Sequence, residues 1–118
     1  MTVDDFAVRS VREGPVHRFT PFGELDLATV PILERWFHGV RPDPTAEKIV
    51  VDLTQLRFMD SAGIKLLTRL NEVCEPLDRL RVVNGSPAAE RILDVTGARA
   101  YLPIISPGDD PLAPLGDR

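Results

Sequence analysis

The stretch "KIVVDL", residues 48–53, constrains this chain more than any other. Ile49, Val50 and Val51 are consecutive β-branched residues with nothing polar between them. Strand side chains alternate between faces, so an unbroken apolar run must be covered on both sides. That belongs at the centre of a sheet flanked by helices, and the fold class expected is α/β.

The remaining elements arrange themselves around that strand. "FAVRSV" (6–11) reads as a strand, "EGP" (13–15) as a turn, and "VHRFTPF" (16–22) as a second strand. Pro21 inside it marks a bulge or a free edge, because proline cannot donate to a ladder. Ile32, Leu33, Trp36, Phe37 and Val40 recur at helical spacing and are assigned to one core-facing side. Pro31 falls in the first turn of that helix and Thr29 suits its N-cap. "RPDPT" (41–45) is a loop. A second helix covers 61–74, with Ile64, Leu67, Leu70 and Cys74 on one stripe and Leu66 and Val73 beside it, stopped by Pro76. "LRVV" (80–83) is a strand. Ser86 caps a third helix that Pro87 opens and Gly97 ends. "YLPII" (101–105) is a last edge strand. Alternating strands and helices predict a layered, mixed β-sheet of about four to five strands with helices packed against it. Arginines 57, 69, 79, 81, 91 and 99 read as solvated faces. Pro, Gly and Asp dominate from Ser106 onward, so the domain is drawn at 1–105 and a disordered tail at 106–118.

Composition excludes several functions. A formal net charge of -4 without any basic run argues against direct nucleic-acid binding. The N-terminus carries acids where a signal peptide needs positive charge, and no window approaches the ~20 apolar residues of a membrane span. Cys74 is alone, so no internal disulfide can form; it reads as a small buried hydrophobe in a reducing compartment, and the expected location is cytoplasmic. With Cys74, His17 and His38 scattered along the chain, neither a metal site nor a cofactor is expected.

One stretch asks for a chemical explanation. "RFMDSAGIKLL" (57–67) sets Asp60 and Ser61 side by side where an apolar run becomes a helix. Neither the G-x-S-x-G elbow nor a phosphate-cradling glycine loop is present, so Ser61 is not read as a catalytic nucleophile and the chain is not read as an enzyme. In the simplest reading, Asp60 or Ser61 caps the helix and Gly63 permits tight packing. The same physics allows a switch. A helix N-terminus tolerates added negative charge, and a phosphoserine there brings about -1.5 to -2 charges without unfolding anything.

"GELDLATVPIL" (23–33) followed by "IVVDLTQLRFMDSAGIKLL" (49–67) resembles the STAS domain, specifically the bacterial anti-sigma factor antagonists. The likeness continues through "RLRVVNGSPAAERILDVTGARAYLPI" and spans about residues 6–105. It implies a STAS fold in which Ser61 is phosphorylated by a partner anti-sigma factor that is a serine kinase. The unphosphorylated antagonist then binds that kinase and frees a sigma factor, and a phosphatase acting on phospho-Ser61 restores the free serine. The resemblance places Asp26, Asp60, Ser61, Ala62, Gly63 and Lys65 at the partner contact, with Gly63 letting the partner's backbone and nucleotide approach. Two positions depart from the pattern: Ala62 replaces a frequent second hydroxyl, leaving Ser61 the only acceptor in the loop, and Lys65 stands where a small residue is common.

Two other classes remain open on sequence. A non-switching STAS scaffold, or an accessory subunit of a larger signalling or transport complex, would show the same residues around a cap-only Ser61. A receiver-like phosphorelay domain would need an acidic cluster at a strand end, and "VDD" (3–5) precedes the first strand.

Overall fold

The computed structural model describes residues 6–40 and 44–115. Its elements run β1 (Ala7–Glu13), β2 (Val16–Leu25), α1 (Val30–Val40), β3 (Lys48–Asp52), β4 (Leu56–Met59), α2 (Ser61–Cys74), β5 (Leu80–Val83), α3 (Pro87–Thr96) and β6 (Ile104–Ile105), with short 3-10 turns at Glu75–Leu77 and Ala98–Ala100. The strands form one sheet in the order β1-β2-β3-β5-β6, with β4 attached to β2. β1 is antiparallel to β2, and every other pairing is parallel.

The apolar run is β3, flanked by β2 and β5, and Ile49, Val50 and Val51 are all buried. Alternation divides its neighbours. Phe19, Ile49, Val51, Leu80 and Val82 join the main core with Leu33 of α1, Ile64 and Leu67 of α2, and Leu93 of α3. Val16, Val50 and Val83 make a smaller cluster on the opposite face. Ser86 accepts the Ala89 N–H at 3.0 Å, Pro87 opens α3, and Gly97 ends it at φ +73°. No helix among the described residues is long and apolar enough to cross a membrane.

β4 has no counterpart in the sequence-based expectation. Its four residues are buried at the ends and exposed in the middle, so the period-2 signal is missing and the segment reads as an approach to α2. With it, β2 serves two partners: residues 16–19 pair with β3 and residues 23–25 with β4. Pro21 lies in the interval between them, where a missing N–H costs no parallel hydrogen bond. The irregularity anticipated at Pro21 falls slightly later, as a register shift between Gly23 and Glu24.

Three side chains differ from expectation. Trp36 is 40% exposed and meets Phe19 edge-on, with centroids 6.5 Å apart. At about 100° per residue, Leu33 and Phe37 lie only about 40° apart on α1 while Trp36 falls on the flank of that arc. Val73 is 63% exposed, because the buried stripe of α2 narrows to Leu70 and Cys74 in its last turns. Arg81 is fully buried rather than solvated. It shares the face of β5 that carries Val83, and it donates to both carboxylate oxygens of Asp78 at 2.8 and 3.1 Å. Lys48 reaches the Asp78 carbonyl and carboxylate as well. The guanidinium beside Asp78 holds that carboxyl below its usual range. Burial pushes the Cys74 thiol upward, partly offset by Arg79.

From Ser106, where a tail was drawn, the described residues run through Leu115. The Ser106 N–H donates to Asp109 at 2.9 Å, and Arg81 reaches the Ala113 carbonyl at 3.5 Å.

Candidate functional site

β2 and β4 run parallel and finish together. Leu25 pairs with Met59, and the Asp60 N–H donates to the Leu25 carbonyl at 3.3 Å. Asp26 and Asp60 therefore leave adjacent strand ends side by side, at the edge where parallel sheets place function. Each carboxylate collects the N–H groups of the turn that follows it. Asp26 Oδ1 accepts from Ala28 at 3.0 Å and from Thr29 at 3.1 Å, and Asp60 Oδ1 accepts from Ala62 at 2.9 Å.

Thr29 precedes α1, and its carbonyl accepts from Ile32 and Leu33 as an N-cap residue's should. Its hydroxyl points the other way, donating to the Glu24 carbonyl at 2.6 Å and accepting from the Asp26 N–H at 3.0 Å. The side-chain cap expected of Thr29 is thus replaced by a brace that fixes the Asp26 turn against β2.

Ser61 is the first residue of α2 and is exposed, and its hydroxyl has no hydrogen-bond partner among the described residues. Lys65 is exposed one helical turn further along. Gly63 is buried and faces inward: a Cβ there would meet Met59 Cγ at 2.8 Å and a Leu25 methyl at 3.1 Å. Ala62 is half-buried against the core. The Ala62 N–H is held by the Asp60 side chain and the Gly63 N–H by the Asp60 carbonyl at 3.0 Å, so neither points to a partner. Asp26, Asp60 and Ser61 come together at the end of the sheet, with Lys65 exposed one turn along α2, while Ala62 and Gly63 face the core.

Two apolar residues that the sequence reading passed over frame this edge. Leu27 follows Asp26 and is 80% exposed, and Phe58 precedes Asp60 by two residues and is 45% exposed. Phe58 pairs with Glu24, which lies 3.8 Å from Arg57. Isolated exposed apolar residues are ordinary; here one lies in the turn after β2 and the other on β4, the two strands whose ends carry Asp26 and Asp60. A hint was available in Phe58, an aromatic residue in a segment too short to hide it. Among the described residues no group of three or more His, Cys, Asp or Glu side chains could hold a metal ion.

The family model for the STAS domain matches residues 9–108, and so takes in both strand ends, the Asp60–Ser61 pair and all three helices. The chain belongs to the STAS domain family. Its relatives include the anti-sigma-B factor antagonist of Staphylococcus aureus, 33% identical over 78 residues that make up 65% of this chain and 71% of the relative. Among solved structures, this STAS domain superposes on an anti-sigma factor antagonist from Mycobacterium paratuberculosis with a TM-score of 0.78 and 27% identity, covering 87% of each chain. The anti-sigma factor antagonist SpoIIAA shares the fold at 20% identity. Its unphosphorylated form gives a TM-score of 0.68 over 88% of this chain and 89% of that one. The phosphorylated form of the Bacillus protein gives 0.63 over 88% and 92%.

Proposed function

We propose that this STAS domain is an anti-sigma factor antagonist whose grip on its partner is controlled by phosphorylation of Ser61. In the unphosphorylated state it binds an anti-sigma factor that is also a serine kinase, and the sigma factor is released. The kinase transfers phosphate to Ser61, the complex parts, and a phosphatase resets the protein. The chain is the substrate of that chemistry and performs none itself.

The observation that carries this reading is a division of labour at the start of α2. Asp60 already caps the helix, which leaves the Ser61 hydroxyl exposed and without a structural duty. An exposed hydroxyl on the first residue of α2, next to the Asp60 cap and near the strand end that carries Asp26, suits a modification that changes charge without disturbing the fold. Docking requires this edge to lose water. A phosphate added beside Asp26 and Asp60 would enter the contact as unpaired negative charge, whose desolvation costs several kcal/mol. About 3 kcal/mol already weakens binding by roughly 100-fold.

Incubating the protein with the anti-sigma factor kinase of its own cell and ATP, followed by phosphopeptide mapping, tests the assignment. One acid-stable phosphate on Ser61 is expected. A protein that stays unmodified under conditions in which the kinase binds it would point instead to a scaffold.

A further inference from the structure

Among the described residues, Lys65 is a cation without an anion. Ser61 precedes it by four residues on α2, Ala62 precedes it by three, and Thr68 and Arg69 follow it at three and four. None of these neighbours is acidic, and no ion pair joins Lys65 to any other of the described residues. The nearby cations are already engaged: Arg69 pairs with Glu34 at 3.3 Å and Arg57 lies 3.8 Å from Glu24. Asp26 and Asp60, at the strand ends beside the start of α2, are turned to the backbone N–H groups of their own turns.

A phosphate on Ser61 would supply the missing anion. Residues four apart on a helix are surface neighbours, and the order with the anion toward the N-terminus is the favourable one. Both side chains are exposed, so either can turn toward the other without repacking. We infer that Lys65 is the intramolecular counter-ion of phosphorylated Ser61, folding the phosphate back over the first turn of α2. This rests on the reading of Ser61 as the phosphorylated residue and adds a second effect to it. Phosphorylation not only brings a dianion to the docking edge; it also withdraws from that edge the cation that an acidic group of the partner would meet. One modification changes the surface twice, in the same direction.

The test is made without partner or kinase, so its outcome is independent of whether the cell modifies Ser61. Phosphoserine is installed at position 61 during synthesis, and the second ionisation of the phosphate is followed by phosphorus NMR in the parent protein, Lys65→Met, Lys65→Arg and Arg91→Met. An ion pair favours the dianion, so the parent is expected to titrate about 0.3 pH units below Lys65→Met, the size of a surface i, i+4 pair. Lys65→Arg should restore the parental value, Arg91→Met should leave it unchanged, and about 1 M salt should remove the difference. Identical titrations in the parent and Lys65→Met would overturn the inference. Absence of Ser61 phosphate after kinase treatment of the ordinary protein would instead count against the switch itself.

Discussion

Asp60 and Ser61 are adjacent but do different work, and single substitutions separate them. Asp60→Ala removes the acceptor of the Ala62 N–H and should cost about 1 kcal/mol in urea unfolding. Ser61→Ala should leave stability within about 0.5 kcal/mol, as expected for an exposed side chain that bonds to none of the described residues. A loss at Ser61 as large as that at Asp60 would mean that the serine is part of the cap. The sequence showed that a cap and a candidate acceptor stood here, but left open which residue held which role. That choice depends on Asp60 sitting in extended backbone at φ -119°, a consequence of β4 pairing with β2. The burial of Arg81 was illegible for a related reason. Its neutralising partner Asp78 lies in a left-handed turn at φ +52°, and nothing local announces that this exposed carboxylate will reach the guanidinium buried three residues later in β5.

At the scale of elements, the helices were legible and the split sheet was not. Their limits are written in local chemistry: Ser86 and Pro87 start α3, Gly97 stops it, and Pro76 follows the end of α2. β4 is written in a long-range pairing, so only the folded chain reveals it. Its consequence is the close seat of α2, where Gly63 packs on Met59 and Leu25. Gly63→Ala gains helix propensity of about 1 kcal/mol but forces the base of the Met59 side chain to move. A net loss of about 1 kcal/mol is expected from thermal or urea unfolding. A net gain would show that β4 yields to α2, and that glycine is not needed for packing.

For the molecule as a whole, the charged cluster at the other end of the sheet predicts a pH response apart from the proposed switch. Asp78 is held below its ordinary carboxylate value, first by the hydrogen bonds from Arg81. A lowered folded value means that the stabilisation is fully present above the unfolded value, near pH 3.9, and is lost as pH falls through the folded one. Asp78→Asn should therefore be less stable than the parent at neutral pH, with the difference closing below about pH 4. A constant difference across that range would contradict the pairing. The fold class, the three helices, and the placing of Asp26, Asp60 and Ser61 at one edge all serve a single claim about charge at a docking surface. Its most direct measurement is calorimetric titration of the cognate anti-sigma factor with this protein, once with serine and once with phosphoserine at position 61. The phosphorylated form should bind roughly 100-fold more weakly, equivalent to about 3 kcal/mol. Equal affinities for the two forms would contradict the account.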